Sequence, residues 1–354
     1  MMKAFLVFCA TISFLHAHKG CCDEKHRTWS GNLSVSATNT SSGYSPTNHH
    51  QGLSLDHSSV SVGGPLGAYF DASAAVAMHT SKKHDTRKVS LDADLEELSV
   101  KTTHNAHEAF SAKAGRFASY ISPANQAHCC GAFFIKRPLL YRAFLGGHLI
   151  DNGGHIDYTI SHSEDAHTTV GFESFHGKGL MSQSNKGIGL FAWMIRHKNA
   201  IHQNHELDLS VSYLLNSLYN QPYRNASNHS GCCQGSSFTG KHMMMANLAL
   251  TSKIVDGIES NLSGEVARVS KLAERFGRNR HHIAYSLGSV ISFTDLAIGT
   301  AEFGARYDYL RGIGFCPCGG PYLNKTHEKT AMIGWKPNEN HTLRFEYTHQ
   351  TLKE

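Results

Sequence analysis

The sequence predicts an all-β fold: a single closed antiparallel transmembrane β-barrel of about 14–16 strands with an infolded loop. Three observations predict it. Apolar and polar residues alternate over long runs. The runs reach the roughly 9–11 residues that a tilted strand needs to cross a bilayer. After the N-terminus no apolar stretch is long enough to make a transmembrane helix.

Composition points the same way. The chain has 354 residues, of which 40% are hydrophobic and only 17% charged. A disordered chain would carry more charge. These values suit a chain that hides alternate residues from water. With 32 glycines, 18 Phe and 13 Tyr against 8 Pro, the balance favours strands and turns. The formal net charge of +5 is spread along the chain without a basic block, which argues against a nucleic-acid arm.

The N-terminus reads as an export leader. Met1-Met2-Lys3 is a short basic start, Ala4 to Leu15 is an apolar core, and Ala17 is a small residue at a cleavage point. The expected division is therefore a signal peptide over 1–17, an N-terminal segment over 18–28 and the barrel over 29–354.

Strand assignments follow from the period of two. Ala68, Phe70, Ala72, Ala74, Val76 and Met78 share one face. Leu207, Leu209, Val211, Tyr213 and Leu215 alternate with Glu206, Asp208, Ser210, Ser212 and Leu214. A helix would set Leu207 and Leu209 about 200° apart, so the segment makes a poor amphipathic helix. Ile156, Tyr158 and Ile160 form another apolar face, and so do Ile283, Tyr285, Leu287, Ile291 and Phe293. Ala297 to Tyr309 places Glu302, Arg306 and Asp308 opposite its apolar side. Leu343, Phe345 and Tyr347 stand opposite Arg344 and Glu346. Breaks are expected at Asn152-Gly153-Gly154, at Gly312-Ile313-Gly314 and at Lys336 to Asn340, the last joining a closing hairpin.

Lipid cannot hydrogen-bond exposed amides, so such a sheet has to close on itself. Apolar faces then meet lipid and polar faces line the lumen. Trp29, Trp193, Trp335, Tyr309 and Tyr347 are candidates for the interfacial girdles.

One region breaks the alternation. Residues 120–147 carry consecutive apolar residues and no regular turn signal. They read as a loop folded into the barrel, a candidate constriction with Arg116, His128, Lys136, Arg137 and Arg142 as pore-lining candidates. Fixed cations in a narrow passage favour anions. The alternative is that these cations are solvated on the outer surface.

Cysteines and histidines add a second question. Besides Cys9 in the leader and the Cys21-Cys22 pair, Cys129, Cys130, Cys232, Cys233, Cys316 and Cys318 sit in expected loops. Disulfides, a soft-metal site, and free or lipid-modified thiols are all compatible with them, and the spacing fits no standard zinc motif. The 26 histidines would add positive charge near pH 6.

Gly115-Arg116-Phe117-Ala118-Ser119, then Asn125 and His128, then Pro138 to Gly147 resemble a family of predicted proteobacterial outer-membrane porins. Some members are described as zinc-regulated and similar to TonB-dependent receptors. The resemblance implies a barrel in the outer membrane of a Gram-negative bacterium, at the cell surface, passing small polar solutes or ions by diffusion. The expected partners are outer-membrane lipid, the barrel assembly machinery, those solutes, and further copies of the chain as a homo-oligomer, with no nucleic acid and no cofactor. A surface adhesin or antigen barrel and a zinc-uptake barrel are the alternative readings. No nucleophile elbow, phosphate loop or HExxH motif occurs, so no enzyme activity is expected.

Overall fold

In the computed structural model the described residues are 3–14, 28–40, 52–82, 89–102, 109–127, 132–145, 147–177, 188–202, 204–217, 240–272, 281–312, 325–338 and 341–353. The strands are β1 (Lys3–Phe14), β2 (Thr28–Thr40), β3 (Gly52–Pro65), β4 (Phe70–Lys82), β5 (Val89–Thr102), β6 (Phe110–Ala118), β7 (Ile150–Ser161) and β8 (Ala166–Phe175). They continue with β9 (Leu190–Ile201), β10 (His205–Asn216), β11 (Gly240–Val255), β12 (Ile258–Leu272), β13 (His282–Leu296), β14 (Gly299–Arg311), β15 (Lys325–Asn338) and β16 (His341–Lys353). Each pairs with its sequence neighbours, and β1 pairs with β16 to close the ring. The pairing along the ring is antiparallel.

The two faces follow the predicted alternation. In β13 the burial alternates residue by residue, with His282, Ser286 and Ser292 buried and Tyr285, Leu287 and Ile291 exposed. The exposed set is the outward face. Among the described side chains it recurs from β3 to β16, with Val60, Val170, Ile195, Val211, Met244, Val266, Phe303, Ile333 and Phe345 all more than a third exposed. Large apolar side chains facing out in this number define a lipid-contacting surface rather than a water-contacting one. Trp193, Trp335 and Tyr347 belong to this outward face, with Tyr347 at the centre of β16 rather than near its end.

The ends of the barrel differ. The shortest links, 66–69, 162–165, 202–204, 256–257, 297–298 and 339–340, all lie at one end. The longest, 119–149 and 217–239, lie at the other.

Two expectations need correction. Asn152-Gly153-Gly154 is not a break but part of the first half of β7. A Cβ on Gly153 would collide with the Ser174 carbonyl and the Phe175 ring, so the glycine permits close strand approach rather than a turn. The lumen face is also not polar throughout. Leu214, Met243, Met245, Val269, Ala284 and Leu310 point inward near the long-link end and are buried. They are covered by the segment that folds inside the barrel.

Residues 3–14, read above as leader, here form the strand between β16 and β2. The run is long enough to satisfy both edges with backbone hydrogen bonds, which is why it is accommodated. Its sequence nevertheless lacks the alternation of the other strands, since Phe5, Leu6, Val7 and Phe8 are consecutive apolar residues.

Candidate functional site

The link 119–149 is the infolded segment, and it crosses the lumen as a strap. It contains two short helices, α1 (Pro123–Gln126) and α2 (Leu139–Leu145). Ser122 caps α1 by accepting the Asn125 amide at 3.0 Å, and Pro123 opens it with a preset φ. In α2, Leu139, Leu140, Phe144 and Leu145 are buried against the inward apolar side chains of β10–β14. Full burial of such a side chain contributes about 1.5–3 kcal/mol. The strap is therefore a packed element and not a loose loop.

Its root is fixed at β7 and β8. The buried Glu173 carboxylate accepts from the Ser119 hydroxyl and from the Tyr120 amide, the latter at 2.7 Å. His155 Nδ1 lies 3.3 Å from the same carboxylate, and the Tyr120 ring stacks on His155 with centroids 4.2 Å apart. Asn125 donates to the Ser119 and Leu149 carbonyls and accepts the Leu149 amide at 2.8 Å, tying both ends of the strap together. Farther in, Ser212 of β10 donates to the Ile121 carbonyl at 2.9 Å. The Tyr141 hydroxyl donates to Glu265 of β12 at 2.8 Å. Burial, followed by the neighbouring Glu265 charge, keeps the Tyr141 phenol neutral well above its ordinary range.

The far side docks on β14–β16 through charges. Glu346 accepts the backbone amides of Ile135 and Lys136. Asp308 accepts the Leu139 amide at 3.3 Å. Arg306 donates to the Lys136 carbonyl at 2.6 Å, and Arg344 donates to the Ala132 carbonyl at 2.5 Å. Arg142 pairs with Glu328, while Arg306 pairs with Asp308 at 2.8 Å. Asp308 and Glu328 stand directly opposite in register, so the wall needs these cations to hold two like charges side by side. Phe134 completes the contact. Its ring lies under the Arg306 guanidinium, 4.7 Å from the centroid, in a notch that Gly288 and Gly304 leave open.

The sequence-predicted residues divide as follows. Lys136, Arg137 and Arg142 all lie on the strap. They do not form an open ring of cations. Arg137 donates to the Ala124 and Ala127 carbonyls at 2.5 Å each, closing the C-terminal end of α1. Arg142 is engaged by Glu328. Lys136 is buried near Arg142, Glu328, Glu346 and Arg306, and burial lowers its pKa from 10.5 to about 8.

Arg116 is a correction: it is not in the lumen. Its register partner Leu98 is on the outward face, and its Nε donates to the Leu95 carbonyl at 2.5 Å. The period of two fixes this, because Lys113 and Phe117 take the inward positions of β6. His128, Cys129, Cys130, Cys232, Cys233, Cys316 and Cys318 lie outside the described residues.

Sequence reasoning missed the wall charges as a site. Glu302, Arg306, Asp308, Glu328, Arg344 and Glu346 are inward and at most 5% exposed. Their signal was present: several ionisable residues at alternate positions of strands long enough to span a bilayer.

The uncovered part of the lumen is opposite. Asp71, Asp92 and Asp94 hold inward register positions on β4 and β5 and are exposed. Next to them Glu97 accepts from Ser73 at 2.6 Å and from Ser99 at 2.8 Å, and pairs with Lys113 at 2.7 Å.

Solved structures of like fold are outer-membrane proteins. OprB of Pseudomonas putida at high pH superposes with a TM-score of 0.54 at 12% identity, over 99% of this chain and 93% of that one. A loop L8 deletion form of OmpT from Vibrio cholerae gives 0.52 at 7% identity, over 99% and 98%. The outer-membrane channel DcaP of Acinetobacter baumannii gives 0.50 at 8% identity, over 99% and 96%. No protein-family model and no curated protein sequence matches the chain. The likeness establishes the fold as a porin-type β-barrel.

Proposed function

We propose that this chain is a diffusion channel for small polar solutes and ions in the outer membrane of a Gram-negative bacterium. One observation carries the reading: the two sides of the lumen differ in exposure. The inward charges of β14–β16 are sealed beneath the strap, whereas inward Asp71, Asp92 and Asp94 remain in contact with solvent. A water-filled passage beside the strap, along β4 and β5, accounts for that difference. The apolar outward face supplies the membrane contact. Tight links at one end and long links at the other match the periplasmic and external ends of such barrels.

The same geometry bears on ion preference. Lys136, Arg137 and Arg142 suggested an anion-favouring constriction. With Arg142 set against Glu328, and Lys136 near Glu328 and Glu346, the field of these two cations is partly compensated. On the open side, inward Asp71, Asp92, Asp94 and Glu97 outnumber the inward cations Lys101 and Lys113, and this balance favours cations. The reading is therefore a weakly cation-preferring channel. The loop 220–240 that would carry the adhesin alternative lies outside the described residues except for Gly240, and the cysteine pairs of the metal-uptake alternative lie outside them.

Planar-bilayer recording tests it. Folded protein, identified by its heat-modifiable migration on a gel, gives discrete conductance steps and a reversal potential on the cation side in a salt gradient. Asp92→Asn with Asp94→Asn moves that potential toward anions. Folded protein without conductance steps refutes the channel. A wild-type potential on the anion side refutes the cation preference alone.

A further inference from the structure

Toward the long-link end the outward charges of β12–β16 carry one sign, while the inward ones are mixed. Toward the long-link end the acids Glu265, Asp308, Glu328 and Glu346 all point inward. The outward positions of the same stretch hold Arg268, Arg311, Lys325 and Lys329, each exposed, with His327 and His349 between them. No acidic residue takes an outward position in this stretch among the described residues.

Register sets bases among aromatic rings: Lys329 stands between Tyr307 and His349 on its neighbouring strands. Tyrosines interleave with the bases: Tyr285 and Tyr309 stack at 4.9 Å, and Tyr307 shares a 2.7 Å hydrogen bond with His327. Tyrosine of this kind marks the headgroup level of a membrane. The bases therefore lie at the depth of lipid phosphates and not of acyl chains.

We infer that this outward patch on β12–β16 is a docking surface for anionic, phosphorylated lipid headgroups in the leaflet at the long-link end. The inference rests on the membrane-barrel reading above. Three features fit it together: a single sign of charge, a width of roughly 20 Å over five strands at about 4.8 Å spacing, and tyrosines to frame the headgroups. Arginine forks and lysine ammonium groups are the side chains that bind phosphate oxygens. A soluble partner would meet the patch only at the rim, because the apolar wall beneath it is embedded in lipid.

Native mass spectrometry of the folded full chain, released from detergent containing phosphatidylglycerol or phosphatidylcholine at matched concentration, tests the inference. The wild type retains phosphatidylglycerol several-fold more than phosphatidylcholine. Replacing Arg268, Arg311, Lys325 and Lys329 by Gln removes the difference, while Arg268→Lys with Arg311→Lys retains most of it. Heat-modifiable migration and conductance steps from the same preparations show that the barrel is intact. Should the Gln variant not fold, the Lys variant and competition by inorganic phosphate still decide. Equal retention of the two lipids, an undiminished preference in the folded Gln variant, or displacement of the lipid by inorganic phosphate alone overturns the inference. Loss of heat-modifiability and conductance in the wild type would instead overturn the barrel reading beneath it.

Discussion

The Glu346 carboxylate of β16 accepts the backbone amide of Lys136 at 3.2 Å, joining positions 210 residues apart in sequence. The strap thus hangs on a wall carboxylate by its main chain, with the lysine side chain left to a separate role. Glu346 also faces Arg306, so its removal leaves a buried cation with less compensation. Breaking a buried ionic contact of this kind costs about 3–5 kcal/mol. The barrel's backbone hydrogen bonds do not depend on it. Glu346→Ala is therefore expected to fold and to release the far side of the strap, giving a larger and noisier single-channel conductance. Lys136→Met leaves the amide in place and should change conductance little. Equal conductance in wild type and Glu346→Ala would show that this contact does not hold the strap.

The notch under Phe134 makes a second, steric test. A Cβ on Gly304 would lie 3.2 Å from Phe134 Cζ, 3.0 Å from Met332 Cε and 3.1 Å from Val290 Cγ2. Alanine requires these side chains to give by a few tenths of an ångström, whereas valine requires Phe134 to leave. Overpacking of this kind costs about 1–3 kcal/mol. Gly304→Val should lower the thermal midpoint of strap release, followed by the fluorescence of a probe on the strap, without changing heat-modifiable migration. An unchanged midpoint would mean that Phe134 does not pack in the notch.

Lys136 gives a pH dependence with a definite sign. Burial holds its pKa at about 8, below the ordinary 10.5. Below about pH 8 both folded and unfolded chains carry the proton, and the cost of burying the charge is fully present. Between about pH 8 and 10.5 the unfolded chain binds the proton and the folded chain does not, so stability rises with pH across that window. The same titration removes a positive charge from the strap. Raising the pH from 7 to 9 should move the reversal potential farther toward cations, and Lys136→Met should flatten that step. A step of equal size in the variant assigns it to another group.

Much of this arrangement was legible in the residues, because a period of two needs no tertiary information. Leu207 to Leu215 and Ile283 to Phe293 alternate plainly, and β10 and β13 lie where they predict. The strap was legible by contrast, as the stretch from Tyr120 to Gly147 that fits neither face of a strand. What was not legible depends on partners distant in sequence. Nothing near Arg137 announces the Ala124 and Ala127 carbonyls, and nothing near Arg142 announces Glu328, 186 residues away. Cations counted without those partners suggested an anion filter. Arg116 failed for a more local reason: its parity in β6 already set it outside, opposite Leu98.

The first seventeen residues supply the last prediction. We propose that they are removed on export, so that the mature chain begins at His18. The register gives a physical reason. β1 places Val7 opposite Glu346 and Cys9 opposite Arg344, positions where every neighbouring strand alternates polar and apolar residues and this one does not. Without β1, β2 and β16 become neighbours. Both run antiparallel to β1 and therefore parallel to each other, so direct closure would form one parallel pair in an otherwise antiparallel ring. Intact-mass measurement of the protein extracted from membranes is expected to show a chain starting at His18. Disulfide trapping between cysteines introduced at Val35 and Phe345 then reports whether the two edges meet. A mass that includes Met1 would refute cleavage and make β1 a permanent member of the wall.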